Sequence, residues 1–209
     1  MIGITADYHE KRHRVSSGYT NAIVSAGGIP IILPNIVDLV PHFMNLCDGF
    51  VFTGGDDPIM QEWGIETHHN AEPVQQSRQT FELTLLRHVQ QHPEKSVLGV
   101  CLGMQWMGLI AGGTLNQDLA EPFASNHKKN DHIISGAIGE GTVHSHHHQA
   151  MESVGELEVV ATSDDGIIEA IQDPNRLWYK GVQWHPERTA NKKLGQRLFD
   201  QMVLACKKT

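Results

Sequence analysis

Three observations predict an α/β chain: a three-layer domain with a mostly parallel central sheet, flanking helices, and an antiparallel section in the C-terminal half. First, short apolar runs alternate four times with segments of helical spacing between residues 2 and 100, the pattern of a parallel sheet with helices on both faces. Second, the fourth apolar run ends in Gly99-Val100-Cys101-Leu102-Gly103, the G-x-C-x-G form of a sharp strand-to-helix turn. Third, after residue 113 the alternation stops. Strand-like segments follow, split by turn residues such as Asp164-Asp165-Gly166 and Asp173-Pro174-Asn175, as hairpins require.

The elements follow in order. Residues 2–5 read as a short apolar strand, and the polar stretch 7–17 reads as a loop over the sheet edge. Tyr19, Ala22, Ile23 and Ala26 have helical spacing, and Gly27-Gly28 supplies the stop. Residues 29–33 form a second strand closed by Pro34, and 38–47 a short helix with Pro41 in its first turn, where proline is tolerated. Residues 49–53 form a third strand, which runs into Gly54-Gly55-Asp56-Asp57-Pro58. A polar loop reaches residue 76. Ser77 is the expected N-cap of a helix to about residue 91, with Phe81, Leu85 and Val89 on one face and an Arg78–Glu82 pair at i, i+4. The fourth strand, 97–100, feeds the turn at Cys101. Residues 116–131 read as polar and irregular. A strand and turn are expected at 132–141, further strands at 157–161, 167–171 and 177–183, and a closing amphipathic helix at 192–206 carries Leu194, Leu198, Met202 and Ala205 on one face. No repeat or linker divides the chain, so residues 1–209 are read as one domain.

Composition narrows the function. Over 209 residues the formal net charge is −8, which gives no electrostatic support to a nucleic-acid role. Cys47, Cys101 and Cys206 are an odd, widely spaced set, which suits a reducing, cytoplasmic setting better than a disulfide framework. No apolar run approaches a membrane span, and the N-terminus lacks the pattern of a signal peptide. Histidine is abundant, with 14 in the chain, several of them clustered at His68-His69 and at His144, His146, His147 and His148.

The chemistry concentrates in two stretches. In the first, glycines at i−2 and i+2 leave room for a sharp turn around Cys101, and a helix N-terminus favours a thiolate there. Taken alone, this stretch fits a nucleophile and a small buried core cysteine about equally. The second stretch is Gly181-Val182-Gln183-Trp184-His185-Pro186-Glu187. Across an extended H-P-E, residues two apart point to the same side, so Glu187 can hold one nitrogen of His185 while the other faces a thiol. That is the Cys–His–acid arrangement of nucleophilic acyl chemistry; a strand end with a surface Glu187–Arg188 pair is the competing reading. In open α/β sheets ligands bind beyond the carboxyl ends of the strands, where Gly54-Gly55 and Cys101 both fall.

With these stretches the sequence resembles the class I (triad) glutamine amidotransferase superfamily, whose fold is flavodoxin-like. The resemblance rests on G-V-C-L-G-M-Q followed by A-G-G-T-L, on G-V-Q-W-H-P-E and on T-G-G-D-D-P. Within it the chain is most similar to γ-glutamyl hydrolases of the γ-glutamyl-γ-aminobutyrate hydrolase (peptidase C26) type, through G-G-T-L-N-Q-D-L at 112–119, V-H-S-H-H-H-Q-A at 143–150 and A-G-G-I-P-I-I-L-P at 26–34. The resemblance implies Cys101 as nucleophile, His185 as base and Glu187 as its orienter, with an oxyanion hole from the backbone N–H groups of Gly55 and Leu102. It also implies Gln105, Gly54, Ser145, His147 and His148 as substrate-side residues. The chain departs from those hydrolases in several places, among them the stretch from Pro58 to Gln76, which is short and atypical. Leu102 stands where they usually carry arginine, His144 where they usually carry asparagine, and Gln79 where an acidic residue is common.

The expected function is hydrolysis of a γ-glutamyl amide bond through a covalent thioester, releasing glutamate, with no metal or organic cofactor. A zinc site built from His144, His146 and His148, alternating on one strand face, is the rival reading of the histidine cluster; no carboxylate or cysteine of matched spacing joins them. Two other functions stay open: a glutaminase subunit that supplies ammonia to a separate synthase, and a catalytically silent binding relative. The expected partner is a small γ-glutamyl substrate, with no nucleic acid and no membrane; a homodimer is left open.

Overall fold

The computed structural model describes residues 1–207. In chain order the elements begin with β1 (Ile2–Thr5), β2 (Asp7–His9), β3 (Arg12–Arg14), α1 (Ser17–Ser25), β4 (Pro30–Leu33), α2 (Val40–Leu46) and β5 (Gly49–Phe52). Next come α3 (Gln76–Gln90), β6 (Ser96–Val100), α4 (Leu102–Ile110), β7 (Thr114–Asn116), α5 (Phe123–His127), β8 (Asn130–Ser135) and β9 (Gly141–Ser145). The chain ends through β10 (Ala150–Ser153), β11 (Glu158–Ser163), β12 (Ile168–Gln172), β13 (Tyr179–Val182) and α6 (Gln196–Cys206).

The main sheet has nine strands in the order β4-β1-β5-β6-β13-β12-β11-β8-β9. The first five run parallel, and from β13 to β9 every pairing is antiparallel. β1, β5 and β6 are buried along their whole length, as apolar strands covered on both faces must be. Two cores lie on the two faces. One packs α2, α3 and α4 through Phe43, Phe81, Leu85 and Trp106. The other packs α1 and α6 through Ile23, Leu198, Phe199 and Met202.

The pairing of β6 with β13 positions the site. Val100 stands opposite Val182, and the Cys101 N–H donates to the Val182 carbonyl at 2.8 Å. The two chemistry-bearing stretches therefore leave the sheet side by side at the same carboxyl edge. On the other flank of β6, β5 delivers Thr53-Gly54-Gly55 to that edge.

Four expectations change. Residues 7–17 are not a plain loop: β2 and β3 form a hairpin, with Asp7 opposite Arg14 and ion-paired to it at 2.8 Å. The helix expected after Ser77 is capped by Gln75 instead, in extended backbone with no side-chain cap bond. The stretch 116–131 contains α5. The strand carrying the histidine cluster ends at Ser145, so His146, His147 and His148 leave the ladder and do not alternate on one strand face.

Candidate active site

Cys101 sits between β6 and α4 with φ 52° and ψ −105°, a backbone conformation that L-residues with a Cβ rarely adopt. The flanking glycines make the turn sterically feasible. A Cβ on Gly103 would lie 2.2 Å from the Phe52 carbonyl oxygen, and one on Gly99 would lie 2.4 Å from Met107 Sδ. The spacing that suggests an elbow in the sequence is therefore a packing requirement: strand, turn and helix approach so closely that no side chain fits beside the cysteine.

His185 follows β13. Its Nδ1 is 2.9 Å from Glu187 Oε1, and Arg188 Nε lies 3.2 Å from the same oxygen. Glu187 is fully buried against the first turn of α1, where a Cβ on Gly18 would come 3.0 Å from Glu187 Cγ. With Nδ1 engaged, the free nitrogen of the ring is Nε2. His185 Cε1 and Cys101 Cβ border one point beside Gly54, 2.9 and 3.4 Å from where a Cβ would sit. Gly54 is thus required for the approach of the imidazole to the cysteine. The His185 backbone is tied to the antiparallel section through its N–H, which donates to the His144 carbonyl at 2.9 Å.

Cys101 is nearly buried, and this changes its expected ionisation. Burial pushes the thiol up to about 12; the Leu102 backbone N–H pulls it back, and the carboxylates of Asp57, Glu187 and Glu169 add to the rise. The helix N-terminus does favour a thiolate, but loss of water around sulfur outweighs it. A thiol held this high rests protonated, so any attack by this sulfur requires a group that takes its proton.

Three residues to which the sequence reading assigns no part in the site complete the surroundings. Arg78, fully buried on α3, donates from Nη2 to the carbonyl oxygens of Thr53 and Gly54 at 3.1 and 3.0 Å. Its Nε bonds Glu82 at 2.8 Å and its Nη1 bonds Asp7 at 3.2 Å. Glu82 in turn accepts from Trp106 Nε1 on α4 at 2.8 Å. One guanidinium thereby ties the Gly54-Gly55 loop to the helix behind the cysteine. The i, i+4 pair legible in the sequence is a buried anchor and not a surface pair. The Tyr19 hydroxyl accepts from the Gly54 N–H at 3.1 Å, which leaves the Gly55 N–H as the glycine amide available to a ligand. Gln183 Nε2 lies 3.5 Å from Cys101 Sγ. Gln183 leaves the end of β13, and residues 185–188 form a turn with the Arg188 N–H on the His185 carbonyl at 3.1 Å, so the extended H-P-E expected from the sequence is not what brings these side chains together.

The cleft over these residues has a volume of about 1440 Å³. Gly54, Gly55, Cys101, Gln105, His147, His148 and His185 line it. Ser145 does not: it is fully buried at the end of β9. His148 bonds Asp57 through Nε2 at 3.0 Å, bracing the loop after β5. His144 bonds the exposed Asp131 at 2.8 Å. His144 and His148 are thus engaged separately, with different carboxylates.

The family model of peptidase C26 matches residues 1–187. The chain belongs to the peptidase C26 family. Among its relatives is a protein assigned as a glutamine amidotransferase in Mycobacterium tuberculosis, 33% identical, with 97% of this chain and 73% of that one covered. Another is the γ-glutamyl-γ-aminobutyrate hydrolase of Escherichia coli K12, 26% identical over 90% of this chain and 84% of that one. In fold, the peptidase C26 chain is similar to a solved structure from Thermoplasma acidophilum assigned as one subunit of a GMP synthase. The TM-score is 0.72 at 17% identity, covering 100% of this chain and 94% of that one. The mixed, mostly parallel sheet with flanking helices is thus the class I glutamine amidotransferase fold. Among the described residues no helix is long and apolar enough to cross a membrane.

Proposed function

We propose that this peptidase C26 protein is a cysteine hydrolase that cleaves a γ-glutamyl amide bond, with Cys101 as nucleophile, His185 as general base and acid, and Glu187 as the residue that orients His185. The observation that carries this reading is the meeting of the strained Cys101 turn with the His185–Glu187 pair at the ends of adjacent parallel strands.

His185 Nε2 takes the thiol proton as Sγ attacks the γ-carbonyl carbon, which the high thiol pKa demands. The oxyanion that forms accepts hydrogen bonds from the Gly55 and Leu102 N–H groups. As the C–N bond breaks, His185 returns the proton to the leaving amine, which departs and leaves a γ-glutamyl thioester. Water, deprotonated by the same nitrogen, attacks the thioester and releases glutamate and the thiol. Glu187 stabilises the imidazolium that exists between the two transfers. Gln105 and Gly54, on the cleft wall, hold the glutamyl half.

A cleft of about 1440 Å³ exceeds what a glutamine side chain fills and leaves room for a leaving amine larger than ammonia, which supports this reading. The name of the Escherichia coli relative, a hydrolase of γ-glutamyl-γ-aminobutyrate, supports the same reading. The second reading is a glutaminase subunit serving a separate synthase, supported by the likeness to the chain assigned to a GMP synthase. The deciding assay measures glutamate release by the purified protein from glutamine, γ-glutamyl-aminobutyrate, γ-glutamyl-putrescine and γ-glutamyl anilides. The hydrolase reading expects turnover of the larger amides by the protein alone, faster than of glutamine. Turnover of glutamine only, and only when a second protein is added, would establish the subunit. No turnover of any of them under either condition would favour a silent relative.

A further inference from the structure

Behind the cleft wall, four side chains from four separate segments converge. His127 closes α5, His132 lies on β8, His147 follows β9 and Glu169 lies on β12. His127 Nδ1 and His132 Nε2 each stand 3.1 Å from Glu169 Oε1, and His147 Nε2 stands 3.5 Å from it. We propose that these three ring nitrogens and the Glu169 carboxylate form a binding site for one divalent transition-metal ion of the zinc class.

Hydrogen bonding does not account for the cluster. Despite the short separations, His127 Nδ1, His132 Nε2, His147 Nε2 and both Glu169 oxygens lack a hydrogen-bond partner of acceptable geometry among the described residues. They are also buried, with His127, His147 and Glu169 almost wholly enclosed. Leaving that many buried polar atoms unpaired is costly unless another group completes them.

The tautomers sharpen the point. His147 Nδ1 is 2.8 Å from the Gln149 carbonyl oxygen, which can only accept, so Nδ1 carries the hydrogen. Its Nε2 faces the Glu169 carboxylate oxygen at 3.5 Å, and a cation between the two would be held by both. His127 Nε2 faces both oxygens of Asp165 at 3.2 Å, which engages its outer nitrogen and leaves Nδ1 toward Glu169. An imidazole whose outer N–H is held by a carboxylate or a backbone carbonyl is the usual support of a metal-ligating histidine. Here two of the three have it.

The dimensions fit. Metal–ligand bonds of about 2.1 Å at tetrahedral to octahedral angles separate neighbouring ligand atoms by about 3.0–3.4 Å. The candidate ligand atoms of His127, His132 and Glu169 lie within 4.8 Å of one another, a spread that a small inward shift closes onto one ion. Three imidazoles and one carboxylate suit zinc, cobalt, nickel or manganese over calcium or magnesium. These are not the alternating His144, His146 and His148 that suggest a metal in the sequence. The ladder ends before that alternation can act, and only His147 of the cluster turns toward Glu169. The ion would lock α5 and the His147 turn onto β12, beside the nucleophile: the Gln183 N–H donates to the Glu169 carbonyl at 2.8 Å, and the Gln183 side chain reaches Cys101 Sγ.

The test uses the whole protein, stripped with a chelator, dialysed against zinc alone and desalted. Elemental analysis should find about one zinc per chain. The zinc X-ray absorption spectrum of this wild-type form should show about three imidazole nitrogens with oxygen completing the shell. His127→Gln and Glu169→Gln should lower the bound zinc at least about tenfold, while His92→Ala, on the surface, should retain it. The cobalt form should show visible d–d absorption that zinc displaces. Wild-type protein holding less than about 0.2 zinc after desalting, or a spectrum with fewer than three imidazoles, would overturn the proposal. So would His127→Gln and Glu169→Gln variants, shown to be folded by circular dichroism, that keep the zinc. Should either variant fail to fold, the wild-type stoichiometry and spectrum still decide.

Discussion

At the scale of single residues, the site combines a strained cysteine with a high thiol pKa and a histidine whose orientation is fixed by a buried carboxylate. Removing the nucleophile tests the first element. Cys101→Ser should fold normally and lose about 10⁴-fold or more in kcat, as loss of an activated nucleophile does; near-normal glutamate release would refute the mechanism. Ionisation gives a second test. Because burial holds the Cys101 thiol up to about 12, only its small thiolate fraction reacts with iodoacetamide near neutrality. Peptide-resolved alkylation of Cys101 should rise about tenfold per pH unit between about pH 7 and 10, with no plateau. A plateau below about pH 8 would mean a resting thiolate–imidazolium pair. In the proposed mechanism Glu187 acts on the imidazole and not on the substrate. Glu187→Gln should therefore cost about 10- to 100-fold less in kcat than Cys101→Ser, with KM little changed. Equal losses would give Glu187 a direct part in the chemistry.

At the scale of elements, what matters is how α3, α4 and the loop after β5 are joined. Arg78 spans them, with Nη2 on two loop carbonyls and Nε on Glu82, and its guanidinium lies where a Cβ on Gly55 would be only 2.2 Å from Nη1. The loop carrying the proposed oxyanion donor is therefore shaped by a side chain from another helix. Arg78→Lys keeps the charge but loses the planar fork. It should fold, melt several degrees lower, and lose about 10- to 100-fold in kcat with a smaller change in KM, short of the loss of a whole oxyanion donor. Unchanged kcat in a folded Arg78→Lys protein would show that the loop holds its shape without the fork. Arg78 and Glu82 were legible in the sequence as an i, i+4 pair. Their burial was not, because it depends on how α3 docks on the loop after β5, some twenty residues upstream.

At the scale of the whole molecule, one nine-stranded sheet is the floor of both cores. Trp106 lies in the core with α3 and α4, and Trp184 in the core with α1 and α6. Neither core can lose the sheet without exposing the other, so unfolding should be cooperative. Melting curves from tryptophan fluorescence of single Trp106→Phe and Trp184→Phe proteins, and from far-ultraviolet circular dichroism, should coincide. Transitions separated by more than about 5 °C would show that the antiparallel section or one core melts by itself.

What the sequence determined by itself is what short-range spacing encodes. The strand–helix alternation specifies the parallel half of the sheet because the two periodicities differ over a few residues. The glycines at i−2 and i+2 specify the elbow, since the clash they avoid arises inside one turn. His185 and Glu187 are kept close by their spacing, although a turn joins them, with the Arg188 N–H donating to the His185 carbonyl at 3.1 Å, and not the extended chain that the sequence suggests. The tertiary structure decided what depends on contacts distant in sequence. It set β6 beside β13 and so brought Cys101 within reach of Gln183, 82 positions away. It buried the thiol and thereby reversed the ionisation that the helix terminus alone would favour. It turned Ser145 inward, drew Arg78 under the glycine loop, and gathered His127, His132, His147 and Glu169 from four segments into one cluster. None of these is written in local spacing, because burial and long-range register are properties of the packed sheet and not of any one stretch that enters it.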